Sequence, residues 1–159
     1  MTTDNPQLNE HNKAEYPPMH TAEHLLNQTM VRMFGCRRSR HAHIERKKSK
    51  IGWELPQSPT ETEVQQLELR INELIAQALP VSYEFLTIDR LPPEVEVDKL
   101  PDDVSQTLCL VRIGDYDVCA CIGSHVENTR EIGMFKINSW RYQDGLFRIV
   151  YKVTPPVVE

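Results

Sequence analysis

Two pairs of residues in this sequence have the side-chain types and the spacing of metal ligands. His20 and His24 lie four residues apart in MHTAEHLLNQTM, and Cys121 and His125 have the same spacing in CIGSHV. Residues four apart on a helix share one face, although such a histidine pair alone is more often a surface or core feature. Three imidazoles and one thiolate are a donor set that Zn²⁺ prefers, and two such pairs commonly assemble a tetrahedral site. Taken together, the pairs favour one zinc ion per chain.

The first pair also matches a motif of zinc-dependent peptide hydrolysis. HTAEH matches the H-x-x-E-H pattern of a class of zinc peptidases, in which the histidines bind zinc and the glutamate between them activates water. Glu23 would then be the general base. This interpretation leaves the Cys121/His125 pair unexplained, and peptide cleavage that depends on Glu23 would distinguish it.

Length and composition predict one domain. A chain of 159 residues has room for a single hydrophobic core. Residues 1–18 contain few apolar side chains and predict a flexible polar tail, which leaves residues 19–159 as the folded domain. Because no apolar run resembles a signal peptide or a membrane span, we expect a cytoplasmic protein without membrane attachment. The few, irregularly spaced cysteines do not form a disulfide framework, and Cys119 is predicted to be a buried thiol.

Basic residues are concentrated in one segment. The chain carries a formal net charge of -5, yet CRRSRHAHIERKKSK, residues 36–50, contains seven Arg and Lys residues against Glu45 alone. Such a patch can bind phosphates while the acidic remainder limits indiscriminate binding, and a solvated hairpin is an equally good interpretation of the charge alone. His41 and His43 lie on one face of this predicted hairpin.

Two helices are predicted from apolar periodicity. The first runs from His20 and ends at Gly35, a residue suited to a left-handed cap. For the second, Ser58 is the predicted N-cap, with Pro59 at the first helical position and Glu61 closing a capping box. Its apolar stripe, which ends before Pro80, contains Val64, Leu67, Ile71, Leu74 and Ile75.

The second half of the chain has the character of consecutive strands. VSYEFLTI follows the second helix as a strand, and a Pro-rich acidic loop, LPPEVEVDKLPDD, comes next. TLCLVRI and YDVCACI are joined by Gly114-Asp115, and MFKINSW and LFRIVYKV by a turn that includes Asp144-Gly145, so each pair predicts a hairpin. Helices separated from consecutive hairpins indicate a two-layer α+β domain, with a largely antiparallel sheet and two main helices on one face.

The motifs resemble a known superfamily. HTAEHLL followed by CIGSHVENTREIGMFKI is similar to the editing domains of alanyl- and threonyl-tRNA synthetases and to freestanding alanyl-tRNA editing proteins, whose pattern is approximately HTATHLL and then CGGTHVxNTGEIGxFKI. The resemblance runs from about Met19 to Val153. It implies that His20, His24, Cys121 and His125 are the zinc ligands. The chain is too short for an aminoacylation core, so we expect a detached editing module.

The resemblance also implies an activity. Editing proteins hydrolyse the ester between a wrong amino acid and the 3′ end of a tRNA, here most plausibly Ser- or Gly-tRNA(Ala). A synthetase pocket for a small side chain rejects near-isosteres poorly, so a second site must remove the errors. On this view the tRNA backbone contacts the basic segment, with these candidates for phosphate binding: Arg37, Arg38, Arg40, Lys47, Lys48 and Lys50.

Several positions depart from the family pattern. Ile122 replaces the first glycine of CGGTH, Ser124 replaces its threonine, and Arg130 replaces the glycine of NTGEIG. The pocket-forming Gln-x-Gly-Ser-like stretch also has no evident counterpart, since the corresponding region reads SRHAHIE. The zinc ligands are retained while the amino-acid pocket differs. A non-catalytic, zinc-stabilised domain that binds tRNA or protein is therefore the alternative function.

Overall fold

The computed structural model describes residues 16–93, 95, 107–121 and 123–156. Most of the predicted tail, most of the predicted Pro-rich loop and the substituted residue Ile122 lie outside the described residues. Neither helix in the described part of the chain is long and apolar enough to cross a bilayer.

The described residues form two α-helices, two short 3-10 helices and seven strands. In chain order they are α1 Pro17–Phe34, β1 His41–His43, β2 Ser49–Glu54, α2 Glu61–Ala76, β3 Val81–Thr87, a 3-10 turn Ile88–Arg90, β4 Thr107–Ile113, β5 Asp117–Ala120, a second 3-10 turn Thr129–Ile132, β6 Met134–Gln143 and β7 Leu146–Thr154.

The strands form two antiparallel sheets, in the orders β1-β2-β7-β6 and β3-β4-β5. The basic segment forms the predicted hairpin, and β4-β5 and β6-β7 are the two other hairpins expected from the sequence. The predicted α+β class with antiparallel strands is confirmed, although the strands divide between two sheets. Along β7, Phe147, Ile149, Tyr151 and Val153 alternate with exposed or half-buried residues, so one face of the larger sheet is buried.

Both helices pack into the same core as that buried face. The hydroxyl of Tyr151 on β7 donates to the carbonyl of Met19 on α1, with an O···O distance of 3.3 Å. From α2, the amide of Asn72 donates to the Phe135 carbonyl at 2.9 Å and its oxygen accepts from the Phe135 N–H at 2.9 Å. These polar contacts fix the position of each helix along the sheet.

Helix α1 begins one turn before the predicted start at His20, because Pro17 occupies the first helical position, where its fixed φ suits a helix and its missing N–H costs nothing. The predicted cap at its other end is confirmed. Gly35 has a φ of +68°, and its N–H donates to the Val31 carbonyl at 2.9 Å.

The predicted N-cap of α2 is wrong by two residues. Thr60 is the N-cap: its hydroxyl accepts from the Glu63 N–H at 3.1 Å, and the Glu63 carboxylate accepts from the Thr60 N–H at 2.8 Å. Thr60 and Glu63 have the same spacing as the predicted pair, Ser58 and Glu61. Ser58 instead donates its hydroxyl to the carbonyl of Pro59 at 2.9 Å, so it does not cap the helix.

The ENTREIG segment is attached to the end of α2. The Thr129 hydroxyl donates to the Leu74 carbonyl at 2.9 Å and accepts from the Leu79 N–H, also at 2.9 Å. Asn128 caps the following 3-10 turn and donates its amide to the Ala78 carbonyl at 3.0 Å. The polar side chains of this motif therefore hold the loop after His125 in place.

Gly133 closes the same motif where the chain enters β6. Its φ is +89°, and a Cβ added there would lie 1.9 Å from the carbonyl oxygen of Thr154. Gly35 also has a positive φ, but a Cβ there would meet nothing within 4 Å. A substitution at Gly35 therefore tests backbone strain alone, whereas one at Gly133 tests strain together with steric exclusion.

We expect Gly133→Ala to lower the free energy of unfolding by about 3 kcal/mol or more, since strain and overpacking combine. Gly35→Ala, the matched control, carries strain alone and should cost about 1–2 kcal/mol. Urea denaturation followed by circular dichroism measures both losses. Equal losses in the two variants would contradict the close approach of β6 and β7 at Gly133.

Candidate metal centre

Helix α1 presents His20 and His24 on one face, one helical turn apart. The helix is attached to the turn before β5 by two contacts beyond these histidines. The hydroxyls of Thr29 and Tyr116 lie 2.6 Å apart, and the Arg32 guanidinium donates to the Tyr116 carbonyl at 2.7 Å. These contacts place the end of β5, which leads to Cys121, beside the histidines.

The loop after β5 is held against α1 by Thr21. The Cys121 N–H donates to the Cys109 carbonyl at 3.0 Å and extends the pairing of β5 with β4. Further along, the Val126 N–H donates to the Thr21 hydroxyl at 3.2 Å. The His125 N–H donates to the hydroxyl of Tyr83 on β3 at 3.1 Å. Both ends of the loop are thereby fixed.

These attachments bring together four side chains from two segments that lie about a hundred residues apart in the sequence. One donor atom from each of His20, His24, Cys121 and His125 lies within 4.8 Å of the other three. The Cys121 Sγ is 3.4 Å from His20 Nε2 and 3.6 Å from His125 Nε2. Tetrahedral zinc with ordinary bond lengths sets its ligand atoms roughly 3.3–3.8 Å apart. The two distances from Cys121 fall in this range.

In two of the three rings, the nitrogen that faces away from the cluster lies within hydrogen-bond distance of an oxygen atom. His20 Nδ1 lies 3.2 Å from the Ser124 carbonyl oxygen, and His125 Nδ1 lies 2.9 Å from the Thr21 hydroxyl. Histidine ligands of metals characteristically donate this second N–H to such an acceptor, which fixes the tautomer. A neutral ring with its proton on Nδ1 would present the lone pair of Nε2 to a bound metal.

His24 faces a buried carboxylate instead. Its Nδ1 is buried without a hydrogen-bond partner among the described residues, and Asp117 Oδ2 lies 3.7 Å away, which is too far for a hydrogen bond. The carboxylate is itself fixed by Arg38, at 2.7 and 3.3 Å, and by the Gln28 amide at 3.0 Å. Burial raises the pKa of Asp117, but His24 and Arg38 outweigh it, so the pKa is below its usual value.

The electrostatics of the cluster favour a thiolate. Burial raises the pKa of Cys121, but hydrogen bonds from His125, His20 and His24 outweigh burial and lower the pKa to about 3. Burial lowers the pKa of His125 to about 4, with repulsion from His24 and His20 adding to the effect. A thiolate and a neutral imidazole are the protonation states that bind a metal ion. Burial lowers the pKa values of His20 and His24, but hydrogen bonding to Cys121 for His20, and to Asp117 and Cys121 for His24, outweighs burial and raises both values, so metal binding displaces protons from these two rings.

The cluster is open on one side. His24 and His125 are buried, whereas His20 and Cys121 are half-buried. Glu23, the general base of the peptidase interpretation, is near this opening: its Oε1 lies 3.7 Å from His20 Nε2, and its Oε2 accepts from Asn27 at 3.4 Å. Cys119, predicted to be buried, is half-buried and is not a member of the four-residue cluster.

The six predicted phosphate-binding residues occupy two kinds of environment. Arg38 is largely buried on Asp117, with only 15% of its side chain exposed. The other five are exposed: Arg37, Arg40, Lys47, Lys48 and Lys50. Arg37, Arg38, Arg40 and His41 line one side of a surface cleft of about 260 Å³, and His41 also borders a larger cleft of about 530 Å³. No member of the histidine–cysteine cluster lines either cleft.

Comparisons with known proteins agree with the geometry. The family described as the threonyl and alanyl tRNA synthetase second additional domain matches residues 108–150. An alanine–tRNA ligase of Oceanobacillus iheyensis is 34% identical over 119 residues, 74% of this chain and 14% of that protein. The alanyl-tRNA editing protein AlaX-L of Pyrococcus horikoshii is 29% identical over 142 residues, 84% of this chain and 32% of that protein. This chain is an editing-domain-like protein.

The editing-domain-like chain spans only 14% and 32% of the length of these two relatives. At its positions that depart from the family pattern, Ser124 contributes its backbone carbonyl to His20, and Arg130 is exposed on the 3-10 turn. Neither substitution removes a member of the cluster.

The sequence interpretation missed three residues that surround the cluster: Thr21, Tyr83 and Asp117. Asp117 had a readable signal, because it lies four residues before Cys121 and shares a strand face with Cys119. Thr21 and Tyr83 had no such signal, since each acts through a single hydroxyl whose partner is about a hundred or forty residues away.

We expect Asp117→Asn to destabilise the metal-free protein by about 3 kcal/mol, because it leaves the buried Arg38 guanidinium without its counter-charge. Asp115→Asn, the same change at an exposed position of the preceding turn, should cost less than about 0.5 kcal/mol. Urea denaturation in the presence of a chelator measures both.

The pair is tested further by adding Arg38→Met to Asp117→Asn. Removing the unpaired charge should recover part of the lost stability. Additive losses, or an Asp117→Asn variant as stable as Asp115→Asn, would contradict the buried ion pair.

Proposed function

We propose that this chain is a zinc-dependent aminoacyl-tRNA hydrolase that deacylates mischarged tRNA in trans, with Ser- or Gly-tRNA(Ala) as substrate. The observation that carries the proposal is the convergence of three imidazoles and one thiolate within 4.8 Å in an editing-domain-like chain. The names of its relatives, an alanyl-tRNA editing protein and alanine–tRNA ligases, support the choice of tRNA.

In the proposed site His20, His24, Cys121 and His125 hold one zinc ion. Their donor atoms match the preferences of zinc. Ser124 and Thr21 orient the rings of His20 and His125, and the carboxylate of Asp117 places a negative charge 3.7 Å from His24. When bound, zinc supplies a Lewis acid that polarises the ester carbonyl or lowers the pKa of water. His24 and His125 anchor the ion from the buried side, and the aminoacyl group approaches between the half-buried His20 and Cys121.

The basic hairpin supplies the contacts to the tRNA backbone in this proposal. Phosphate contacts position a nucleic acid without reading its sequence, and flexible exposed cations are suited to them. The exposed members are Arg37, Arg40, Lys47, Lys48 and Lys50, while Arg38 also anchors Asp117 behind the metal site. The same segment thereby serves both substrate binding and the support of a proposed ligand.

A non-catalytic zinc-stabilised binding domain is the second candidate. It is favoured by the closed donor set, since four protein ligands are typical of structural zinc, and by the burial of His24 and His125. In that case the metal holds α1 to the loop after β5 and adds its binding free energy to folding. The two candidates differ in activity: the hydrolase deacylates aminoacyl-tRNA, and the binding domain does not.

The test is a deacylation assay of the zinc-loaded protein with Ser-tRNA(Ala), Gly-tRNA(Ala) and Ala-tRNA(Ala). We expect selective hydrolysis of the serine or glycine ester. His125→Ala should lower the rate at least about 100-fold, since removal of a ligand exceeds the effect of removing a residue that orients one. His43→Ala, a change at an exposed histidine of the hairpin, should retain the zinc and the turnover number.

Wild-type protein stripped of zinc and then reloaded controls for misfolding of the His125 variant. Turnover that disappears with the metal and returns with it supports the proposal. No hydrolysis of any of the three esters above the uncatalysed rate would contradict the alanine-tRNA assignment. Cleavage of peptides in a Glu23-dependent manner would favour the peptidase interpretation instead.

A further inference from the structure

Two aromatic side chains are exposed on the smaller sheet. Tyr83 and Phe85 on β3 are 47% and 68% exposed. They lie two residues apart on one strand, so both project from the same face. Large apolar residues exposed side by side are uncommon enough to indicate a contact surface.

Both faces of this sheet are packed along part of their length. On the face that carries Tyr83 and Phe85, Val111 and Ile113 of β4 are buried, and a separate cluster is buried on the opposite face. Leu110, Val118 and Val95 form a small buried cluster, against which Leu86 and Ala120 pack. By register, Glu84 and Leu110 are partners, as are Leu110 and Ala120, so this cluster occupies the positions that alternate with Tyr83 and Phe85. Phe85 therefore contributes little to that core.

The exposed aromatic residues lie next to the metal centre. Phe85 pairs with Cys109 on β4, and the Cys109 carbonyl accepts from the Cys121 N–H at 3.0 Å. Two strand spacings place the Phe85 backbone about 10 Å from that of Cys121. Tyr83 is closer still, because its hydroxyl accepts from the His125 N–H at 3.1 Å and its ring centroid lies 6.3 Å from that of His125.

We propose that Phe85, with Tyr83 beside it, forms the platform on which the 3′-terminal base of the tRNA stacks. This inference rests on the proposed function. The scissile ester is attached to the ribose of the last nucleotide, so when the ester lies at the cluster, the base that the same ribose carries must lie next to it. Unpaired terminal bases are recognised by stacking on exposed aromatic side chains, and Phe85 supplies such a surface at that distance.

Tyr83 contributes position as well as area. Its hydroxyl is held by the backbone of His125, a proposed ligand, so the ring has a fixed relation to the metal site. The platform therefore aligns the terminal nucleotide with the ester-binding end of the cluster. Because any base has a stacking face, the platform contributes affinity and orientation without selecting the tRNA species.

The inference is tested by a double-mutant cycle between Phe85 and the terminal base. The probe is a fluorescent, uncharged acceptor-stem minihelix with an unpaired CCA end, compared with the same RNA lacking only the terminal base. Fluorescence anisotropy with the zinc-loaded protein measures binding. We expect removal of the base to weaken wild-type binding roughly 5- to 100-fold, and Phe85→Ala to weaken binding of the intact RNA by the same factor.

The decisive result is whether the effect of removing the terminal base depends on the presence of the Phe85 ring. Phe85→Ala should bind both RNAs equally, and Phe85→Trp should behave as wild type. Leu69→Ala, a change at an apolar residue of α2 that is 61% exposed, is the matched control and should not alter binding. If the two changes weaken binding independently, so that their factors multiply, or if Phe85→Ala leaves binding unchanged, the inference is overturned.

Sedimentation of the same variants tests the competing occupant, a second copy of the chain. A wild-type dimer that Phe85→Ala converts to monomers, together with no coupling, would overturn the platform. The deacylation assay separates the two proposals. Coupling without hydrolysis supports the platform and contradicts the hydrolase, whereas hydrolysis without coupling contradicts the platform alone.

Discussion

The buried carboxylate of Asp117 joins three parts of the chain that are far apart in sequence. It accepts hydrogen bonds from Gln28 on α1 and from Arg38 after that helix, while Asp117 itself begins β5. A charge buried in this way is tolerable only because the guanidinium pairs with it at 2.7 Å. The position of β5 against α1, and with it the meeting of Cys121 with the histidines, depends on this contact.

Thr21 provides the second constraint on the same interface. Thr21 lies between His20 and His24 in the sequence. Its hydroxyl contacts the other segment of the site, at His125 Nδ1 and the Val126 N–H. The orientation of one proposed ligand is therefore set by the helix that carries two others. Because Ser124 and Thr21 hold the outer nitrogens of His20 and His125, these two rings are preorganised for metal binding.

The sequence was sufficient to predict the α+β class, the hairpins, the cap at Gly35 and the membership of the cluster, because each depends on local spacing or on a long shared motif. The cap of α2 was misplaced because Ser58 and Thr60 both have a glutamate three residues later, and only the structure shows that Ser58 bonds to Pro59. The division of the strands into two sheets and the roles of Thr21 and Tyr83 depend on tertiary contacts, which no local pattern records.

The central claim is that the four convergent side chains bind one zinc ion, and X-ray absorption at the zinc edge of the loaded protein tests it most directly. Tetrahedral coordination by His20, His24, Cys121 and His125 predicts one sulfur at about 2.3 Å and three nitrogens at about 2.0–2.1 Å. Cys121→Ser should remove the sulfur signal, whereas Cys119→Ser should leave it unchanged. A zinc shell without sulfur in the wild-type protein, or loss of the sulfur signal in Cys119→Ser, would contradict this ligand set.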